Sequence, residues 1–497
     1  MKTRVLNFCK AAVFLVLLVA CILAAVVVVR RKESSYKYAD FFDKAKENQI
    51  DVLFMGSSHV INAVNPATLY RNYGYTSYNM GGHGSVMQAT YWELIEALDY
   101  CTPQWVVVDA YMLEKDYQYL DVMEENAADD EINTSVEQLH LNMDAWPLNR
   151  LKIAAVNDLI RDQDKRNQFL FDFMVYHDRW SELDENDYRA LTGKADRNML
   201  FGAEMRYEVE KSPVIYPEPE AGVLLSGHTV GQEYLRKIID ECQRKGIGVV
   251  VTYIPFCADT EDKVAAASAG AVAAEYDVPY INMLDKDIID IRADLNDTGH
   301  LNVTGAEKVT GYLGEWLLAN GGLTDHRGDG AYSDWQVKAD SFYESIRELT
   351  TSEDDLYTEL DVLSMNEVGS VIYFNQGSYA FRDDTLRKIV SNIAGTDNIY
   401  QANGPYILIN DAGSGQTFEA FDDGFLGGVP TAMGNLVYQP VEARFRFLYA
   451  QENEEMNYLY DDSHVDFDIQ VITYDKNTGE VLGHKYYRSY GNNYRVD

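Results

Sequence analysis

The stretch "DVLFMGSSHVIN" at residues 51–62 opens the part of the chain whose pattern predicts the fold. Four apolar residues end at Gly56 and are followed by two serines and a histidine. A short apolar run that stops at a glycine indicates a buried strand that turns into the next element. Ser57 and Ser58 are either small turn residues or include a nucleophile, and the rest of the sequence bears on that choice.

Strand and helix signals alternate from about residue 49 to residue 110, and again from residue 230 to residue 318. The predicted strands are 51–55, 76–80, 104–111, 248–256 and 279–283. The predicted helices are 66–74, 85–98, 230–245, 260–276 and a closing helix that follows a loop beginning at residue 295. This rhythm predicts an α/β fold in which helices cover both faces of a parallel sheet.

The pattern divides the chain into four predicted parts. These are a tail and transmembrane anchor (1–35), an α/β domain (36–320), a linker with a helix (321–355) and a C-terminal β-rich domain (356–497). The α/β domain is interrupted at about 112–225 by an acidic, aromatic insertion, in which 123–131 is expected to be an exposed loop. Insertions between strands often shape a substrate site. The β-rich domain has a hairpin signal near Asn477 and one helix signal at 383–395.

The N-terminus carries nineteen consecutive apolar residues without a charge, at positions 11–29. As a helix they span about 28 Å, close to the hydrocarbon thickness of a bilayer. An uncleaved single-pass anchor is the favoured interpretation, and a lipoprotein signal ending at Cys21 is the alternative. Basic residues are nearly balanced on the two sides of this segment, so the orientation rests on the short N-terminal tail staying in the cytoplasm. We therefore expect a cell-membrane protein whose large C-terminal part lies outside.

Charge and cysteine content exclude some classes of partner. Lys and Arg number 42 against 79 Asp and Glu, a net charge of −37. Such a surface repels nucleic-acid phosphates and anionic headgroups, so nucleic acid is not an expected partner. Three well-separated cysteines outside the apolar segment form no disulfide framework and no metal-binding pair. His59 and His83 lack clustered carboxylates, so we expect neither a metal nor a cofactor.

Three short motifs could carry chemistry, because each is expected at the carboxyl end of a strand, where ligands bind in parallel sheets. Gly56-Ser57-Ser58 offers a hydroxyl, and the glycines of 81–84 offer backbone N–H groups to a developing oxyanion. Asp297 and His300 share one turn, where the carboxylate can orient the imidazole as a general base. Taken singly, each motif is as well explained by a tight turn or a helix cap.

Together the motifs resemble the blocks of the SGNH/GDSL hydrolase superfamily. "FMGSSHV" resembles its first block, "NMGGHG" its second and "DTGHLN" its last. The resemblance implies a three-layer α/β/α domain with Ser58 as nucleophile, His300 as general base and Asp297 as its orienting partner. It further implies that Gly82, with Gly84 nearby, belongs to the oxyanion hole.

The third block departs from the family pattern. It should supply an Asn after the third strand, but the chain reads Val-Asp-Ala-Tyr at 108–111, which leaves Asp109 as an oxyanion or substrate candidate. The oxyanion hole would then be formed by the backbone N–H groups of Ser58 and Gly82. This variant looks more like the membrane-anchored branch that acylates cell-surface polymers, such as D-alanyl-transfer and alginate-acetylation proteins. The resemblance implies an esterase or O-acyltransferase acting on an acylated cell-envelope glycan or related polymer, with a membrane acyltransferase as a partner.

Two other functions remain open from the residues alone. The scaffold is also compatible with a non-catalytic surface protein whose 36 tyrosines bind carbohydrate by stacking. In a further alternative, the C-terminal domain is the partner-binding module and the α/β domain is a platform.

Overall fold

The computed structural model describes residues 2–30, 33–114, 138–160, 162–171, 173–195, 200–411, 416–421, 428–439, 444–448, 455–456, 467–491 and 493–496. The acidic loop predicted at 123–131 lies outside these residues. The architecture is mixed α/β, with one parallel sheet, a separate antiparallel region and one N-terminal apolar helix.

The central sheet contains β1 (Val52–Met55), β2 (Ser77–Asn79), β3 (Trp105–Asp109), β4 (Gly248–Tyr253) and β5 (Tyr280–Asn282). All neighbouring strands are parallel, in the order β2-β1-β3-β4-β5. This confirms the parallel sheet expected from the sequence. The strand order reverses between β1 and β3, and in doubly wound sheets the crevice at such a reversal is the usual ligand site.

The helices of the chain have the following bounds. They are α1 (Lys2–Val29), α2 (Glu33–Lys46), α3 (Ser58–Ala63), α4 (Pro66–Tyr73), α5 (Met87–Ala97), α6 (Arg150–Leu159), α7 (Gln163–Leu170), α8 (Phe173–Tyr176), α9 (Glu185–Arg189), α10 (Val230–Lys245), α11 (Thr260–Glu275), α12 (Val303–Asn320), α13 (Ser333–Ser352), α14 (Leu356–Leu363) and α15 (Asp384–Ala394). Residues 138–143 are also helical. α1 is long and apolar enough to cross a membrane.

Alternate residues of the central strands face two separate cores, because side chains along a strand point to opposite faces. Leu53 and Val108 belong to the core that includes residues of α2, α5, α10 and α13. Val52 and Val107 belong to the opposite core, which includes residues of α3 and α12. Helices therefore cover both faces of the sheet, and the carboxyl ends of its strands remain at one edge.

The remaining strands are β6 (Leu295–Asp297), β7 (His300–Leu301), β8 (Gly369–Phe374), β9 (Tyr406–Asp411), β10 (Gln416–Phe421), β11 (Gly428–Thr431), β12 (Gly434–Gln439), β13 (Arg444–Leu448), β14 (Glu455–Met456), β15 (Ile469–Tyr474), β16 (Val481–Tyr490) and β17 (Asn493–Val496). Six of them form an antiparallel sheet in the order β10-β9-β8-β15-β16-β17, and β11 to β14 form a second, four-stranded sheet. α14 and α15 pack on one face of the six-stranded sheet. Thr304 at the start of α12 donates to Asp361 of α14 at 2.6 Å, which attaches this region to the α/β part.

Three local predictions differ from the structure. The loop expected from residue 295 is an antiparallel hairpin, β6–β7, before α12 begins. The strand expected at 248–256 ends at Tyr253. α14 lies where the sequence suggested the start of a β-rich region, because the Asp355 side chain accepts from the Thr358 N–H and caps a helix there.

Candidate active site

Gly56 ends β1 in a conformation that other residues rarely adopt. Its φ is +149°, and a Cβ there would lie 2.7 Å from Val60 Cγ2 and 3.0 Å from Asp109 Cβ. Glycine is therefore required at this turn. The turn takes the chain from β1 directly into α3, whose first residue is Ser58.

Ser57 and Ser58 have different environments. Ser57 is 1% exposed, and its Oγ accepts from the His59 N–H at 3.2 Å, which caps α3. Ser58 is only partly buried, and its Oγ lies 2.9 Å from Nε2 of His300. Ser57 thus stabilises the turn, whereas the hydroxyl of Ser58 faces a titratable group.

Asp297 and His300 are paired across the tight turn of the β6–β7 hairpin. The Gly299 N–H donates to Asp297 Oδ1 at 2.9 Å and holds the carboxylate against the turn. Leu295 and Leu301 are buried in the core, so they secure both strands of the hairpin. The burial of Leu295 and Leu301 therefore fixes both strands of the hairpin that carries Asp297 and His300.

A continuous hydrogen-bonded chain joins Ser58, His300 and Asp297. His300 Nδ1 lies 2.9 Å from Asp297 Oδ1 and 3.1 Å from Oδ2, while its Nε2 lies 2.9 Å from Ser58 Oγ. With the proton on Nδ1, the ring donates to the carboxylate and its Nε2 accepts from the hydroxyl. This arrangement suits proton abstraction from serine.

The charge states of the pair favour the same chemistry. Burial lowers the pKa of His300 below its usual value, although Asp297 opposes this effect. Burial alone would raise the pKa of Asp297, but hydrogen bonds led by that from His300 outweigh it and lower the pKa. The ring is therefore neutral, and the carboxylate ionised, near neutral pH.

Two further residues, which the sequence did not single out, hold Asp297. Arg206 Nη1 donates to Asp297 Oδ2 at 3.1 Å, and Asn296 Nδ2 donates to the same oxygen at 3.1 Å. Arg206 belongs to the last part of the insertion, where the sequence has no periodic pattern. The insertion therefore reaches Asp297 through this residue, and a role in shaping a substrate site stays a prediction.

His59 forms an uncharged aromatic wall of the site. Its ring stacks on Tyr111 at 3.8 Å between centroids and meets the His300 ring edge-on at 5.7 Å. Burial, with a smaller effect of His300, lowers the pKa of His59 to about 3. His83 lies apart from this stack, with its Nε2 3.7 Å from Glu204 Oε1.

The predicted oxyanion glycines lie beside the site, but their N–H groups differ from expectation. The Gly82 N–H donates to Gly56 O at 2.9 Å, because the β1–β2 ladder continues past the strand ends. Gly84 adopts a left-handed conformation with φ +55° and lies next to Gln138. For the Gly82 N–H to donate to an oxyanion, it would have to give up its present hydrogen bond to Gly56 O. The Ser58 N–H, at the head of α3, has no partner within the described residues.

Asp109 lies beneath the site rather than at its surface. It is 1% exposed, and its Oδ1 accepts from the Ile254 N–H at 2.8 Å, which joins the ends of β3 and β4. Burial raises its pKa to about 7, against backbone hydrogen bonds that lower it. In this structure Asp109 connects strands, and contact with a substrate stays a prediction.

A cavity of about 700 Å³ adjoins Asp297 on the side of Arg206 and Asn296. Its lining brings together the end of the insertion, the hairpin and the region around α14. The lining residues are Arg206, Tyr207, Glu208, Val209, Lys211, Asn296, Glu353, Asp355 and Thr358. Both signs of charge, a hydroxyl, an amide and an aromatic ring are thus present next to the hydrogen-bonded chain.

No protein-family model matches this chain, and no curated protein matches it either.

Proposed function

We propose that the chain is a membrane-anchored serine esterase or O-acyltransferase of the SGNH/GDSL type, with its catalytic part outside the cytoplasm. The observation that carries the proposal is the pair of contacts made by His300, 2.9 Å to Ser58 Oγ and 2.9 Å to Asp297 Oδ1. Nucleophile, base and orienting carboxylate are the three elements that acyl transfer through serine requires.

The proposed first half-reaction forms an acyl-enzyme. His300 Nε2 takes the hydroxyl proton as Ser58 Oγ bonds to the ester carbonyl carbon, and Asp297 stabilises the imidazolium. The Ser58 N–H is the nearest candidate donor to the resulting oxyanion. Collapse of the intermediate breaks the ester C–O bond, and the imidazolium returns its proton to the leaving oxygen.

The second half-reaction decides between hydrolysis and transfer. Water or a sugar hydroxyl loses its proton to His300 Nε2 as its oxygen bonds to the acyl carbon. The bond from the acyl carbon to Ser58 Oγ then breaks, and the imidazolium returns the proton to Oγ. In the transfer reaction, a membrane acyltransferase would supply the acyl group. The site does not distinguish these outcomes, because both use the same residues.

The cavity beside Asp297 supports the proposed substrate class. Hydroxyl, amide and carboxylate groups around one aromatic ring suit a polyhydroxylated ligand, which forms hydrogen bonds and stacks on Tyr207. Arg206 and Lys211 face three carboxylates in this lining, so a polyanion is disfavoured. This composition supports an acylated envelope glycan as the substrate.

Turnover of a chromogenic acetyl ester tests the proposal. Ser58→Ala is expected to abolish turnover above background, because within the part of the chain that the structure describes no other hydroxyl is bonded to His300. Ser57→Ala is the matched control, since it removes only the α3 cap and is expected to retain activity in the folded protein. Wild-type turnover by Ser58→Ala would overturn the proposal.

A non-catalytic carbohydrate-binding protein is the second candidate. It is favoured by the Gly82 N–H, which is engaged with Gly56 O instead of facing the site. In that case wild-type protein binds acylated oligosaccharides in calorimetry, and Ser58→Ala binds them equally without either protein releasing acetate.

A further inference from the structure

Part of the insertion packs against the end of the apolar helix α1. α8, α9 and the short turn Ala190–Thr192 all contact α1. The last residues of α1, Val28 and Val29, are buried there, whereas most of the helix is exposed. The insertion therefore packs against the end of α1.

Arg179 fixes this contact. Its Nη1 donates to the backbone oxygen of Val29 at 2.6 Å, and its Nη2 lies 3.7 Å from the buried Asp187. A cation at the carboxyl end of a helix satisfies free carbonyls and complements the helix dipole. α1 is thus bound to the insertion and is not a freely jointed tether.

The chain after α1 leaves little freedom to move away from a membrane. Only residues 30–32 separate α1 from α2, and four Cα steps reach at most about 14 Å. α2 is part of the main core, since Tyr38 and Phe41 are buried in it. The α/β part therefore lies close to the surface from which α1 emerges.

The same part of the insertion exposes large apolar side chains. We define the anchor-side surface by the five that are exposed between α7 and the turn after α9. They are Phe171, Met174, Trp180, Tyr188 and Leu191, each between 49% and 55% exposed. The sequence from 171 to 191 has six acidic residues and two basic ones, and Asp178 and Glu182 are among the exposed acidic side chains, so the surface is net negative.

We propose that the anchor-side surface inserts into the interfacial region of the bilayer that α1 spans. Trp and Tyr favour this region, where the ring contacts acyl chains and the polar atom stays hydrated. The net negative charge repels anionic headgroups, so the contact with the bilayer is apolar insertion. The inference rests on α1 as a membrane span and is independent of the chemistry at Ser58.

Fluorescence quenching in nanodiscs tests the proposal with the full chain. Phosphatidylcholine brominated near the headgroup end of its acyl chains quenches tryptophans at that depth. Wild-type emission is expected to fall on exchange into brominated lipid, and Trp180→Phe is expected to lose most of that quenching. Quenching is also expected to persist at high salt and without anionic lipid.

Trp316→Phe is the matched control, because Trp316 packs against Trp105 on the central sheet. It is expected to keep wild-type quenching. Equal quenching in wild type and Trp180→Phe would overturn the proposal. So would dimers in nanodiscs that dissociate when Trp180 and Leu191 are replaced by serine, since a second copy would then cover the surface.

Discussion

Ser58 Oγ and His300 Nε2 lie 2.9 Å apart although 242 residues separate them in the chain. The serine follows the first strand of the sheet, and the histidine lies on a hairpin just before the closing helix α12. The contact depends on both elements reaching the same edge of the sheet. His300 is in turn held by Asp297 from the same hairpin, so its ring position is set before any substrate binds.

Asp297→Asn is expected to reduce kcat by about 10³- to 10⁴-fold, because the amide neither stabilises the imidazolium nor selects the correct tautomer. Asp297 is partly exposed, so folding is expected to be retained. Ester turnover and the thermal midpoint measure the two effects. Unchanged kcat in a folded variant would exclude Asp297 from catalysis.

The pH dependence of kcat/KM is expected to report the protonation of His300. Activity needs the neutral ring, so it falls as pH drops through the His300 pKa. Burial lowers that pKa below the usual 6.5, which places the acid limb below pH 6.5. A limb well above pH 6.5 would contradict this account.

Substitution of Arg206 is expected to shift the acid limb of the kcat/KM pH profile. Its charge lowers the pKa of His300, so Arg206→Gln is expected to raise the pKa and move the acid limb to higher pH. Arg206→Lys keeps the charge and is expected to leave the limb near its wild-type position. If both variants shift the limb equally, the hydrogen bond to Asp297, and not the charge, sets the pKa.

Asp109→Asn separates a structural role from a catalytic one. The folded pKa of about 7 exceeds the usual 3.8, so wild-type folding takes up a proton between these values. Stability therefore falls as pH rises through this window and levels off above pH 7. The variant keeps an acceptor for the Ile254 N–H and is expected to lose the Asp109 contribution to this dependence while remaining active. Glu307 and Glu359, whose pKa values burial also raises to about 7, keep the rest of the dependence.

Chemical denaturation at pH 5 and pH 8 measures the effect of Asp109→Asn. Asp287→Asn, at an exposed position, is the control and is expected to respond to pH as wild type does. Loss of ester turnover in stable Asp109→Asn protein would instead place Asp109 in the catalytic machinery.

Gly314 and Gly311 of α12 differ in the space available for a side chain, so alanine substitutions at the two positions test how tightly this helix packs. A Cβ at Gly314 would overlap the ring of Tyr73, whereas a Cβ at Gly311 meets nothing within 4 Å. Gly314→Ala is expected to destabilise the protein by about 1–3 kcal/mol through overpacking. Gly311→Ala is expected to stabilise it by up to about 1 kcal/mol, as alanine does inside a helix. Equal unfolding free energies would contradict this packing.

The sheet was predictable because its strands are short apolar runs that end at glycine or polar turns, as at Gly56. Ser58 was predictable as a candidate because it follows such a run, and Asp297 and His300 because they share one turn between the last predicted strand and the closing helix. The resemblance implied that these three residues act together, but the hairpin that carries Asp297 and His300 was predicted as a loop.

Other parts of the site follow from tertiary contacts that no local pattern encodes. Arg206 reaches Asp297 from an insertion without periodicity. The Gly82 N–H was expected to be free, but the ladder between β1 and β2 extends one step further and engages it. α2 was missed directly after α1, although Tyr38, Phe41 and Ala45 recur at helical spacing and are buried together.

The most direct test of the central claim is covalent labelling of the full chain with a fluorophosphonate, followed by peptide mapping. A hydroxyl hydrogen-bonded to a neutral imidazole is expected to react, so one adduct should form on Ser58. Ser58→Ala should remove it, and Ser57→Ala should retain it. An unlabelled wild-type chain, or an adduct that persists in Ser58→Ala, would contradict the assignment of Ser58 as the nucleophile.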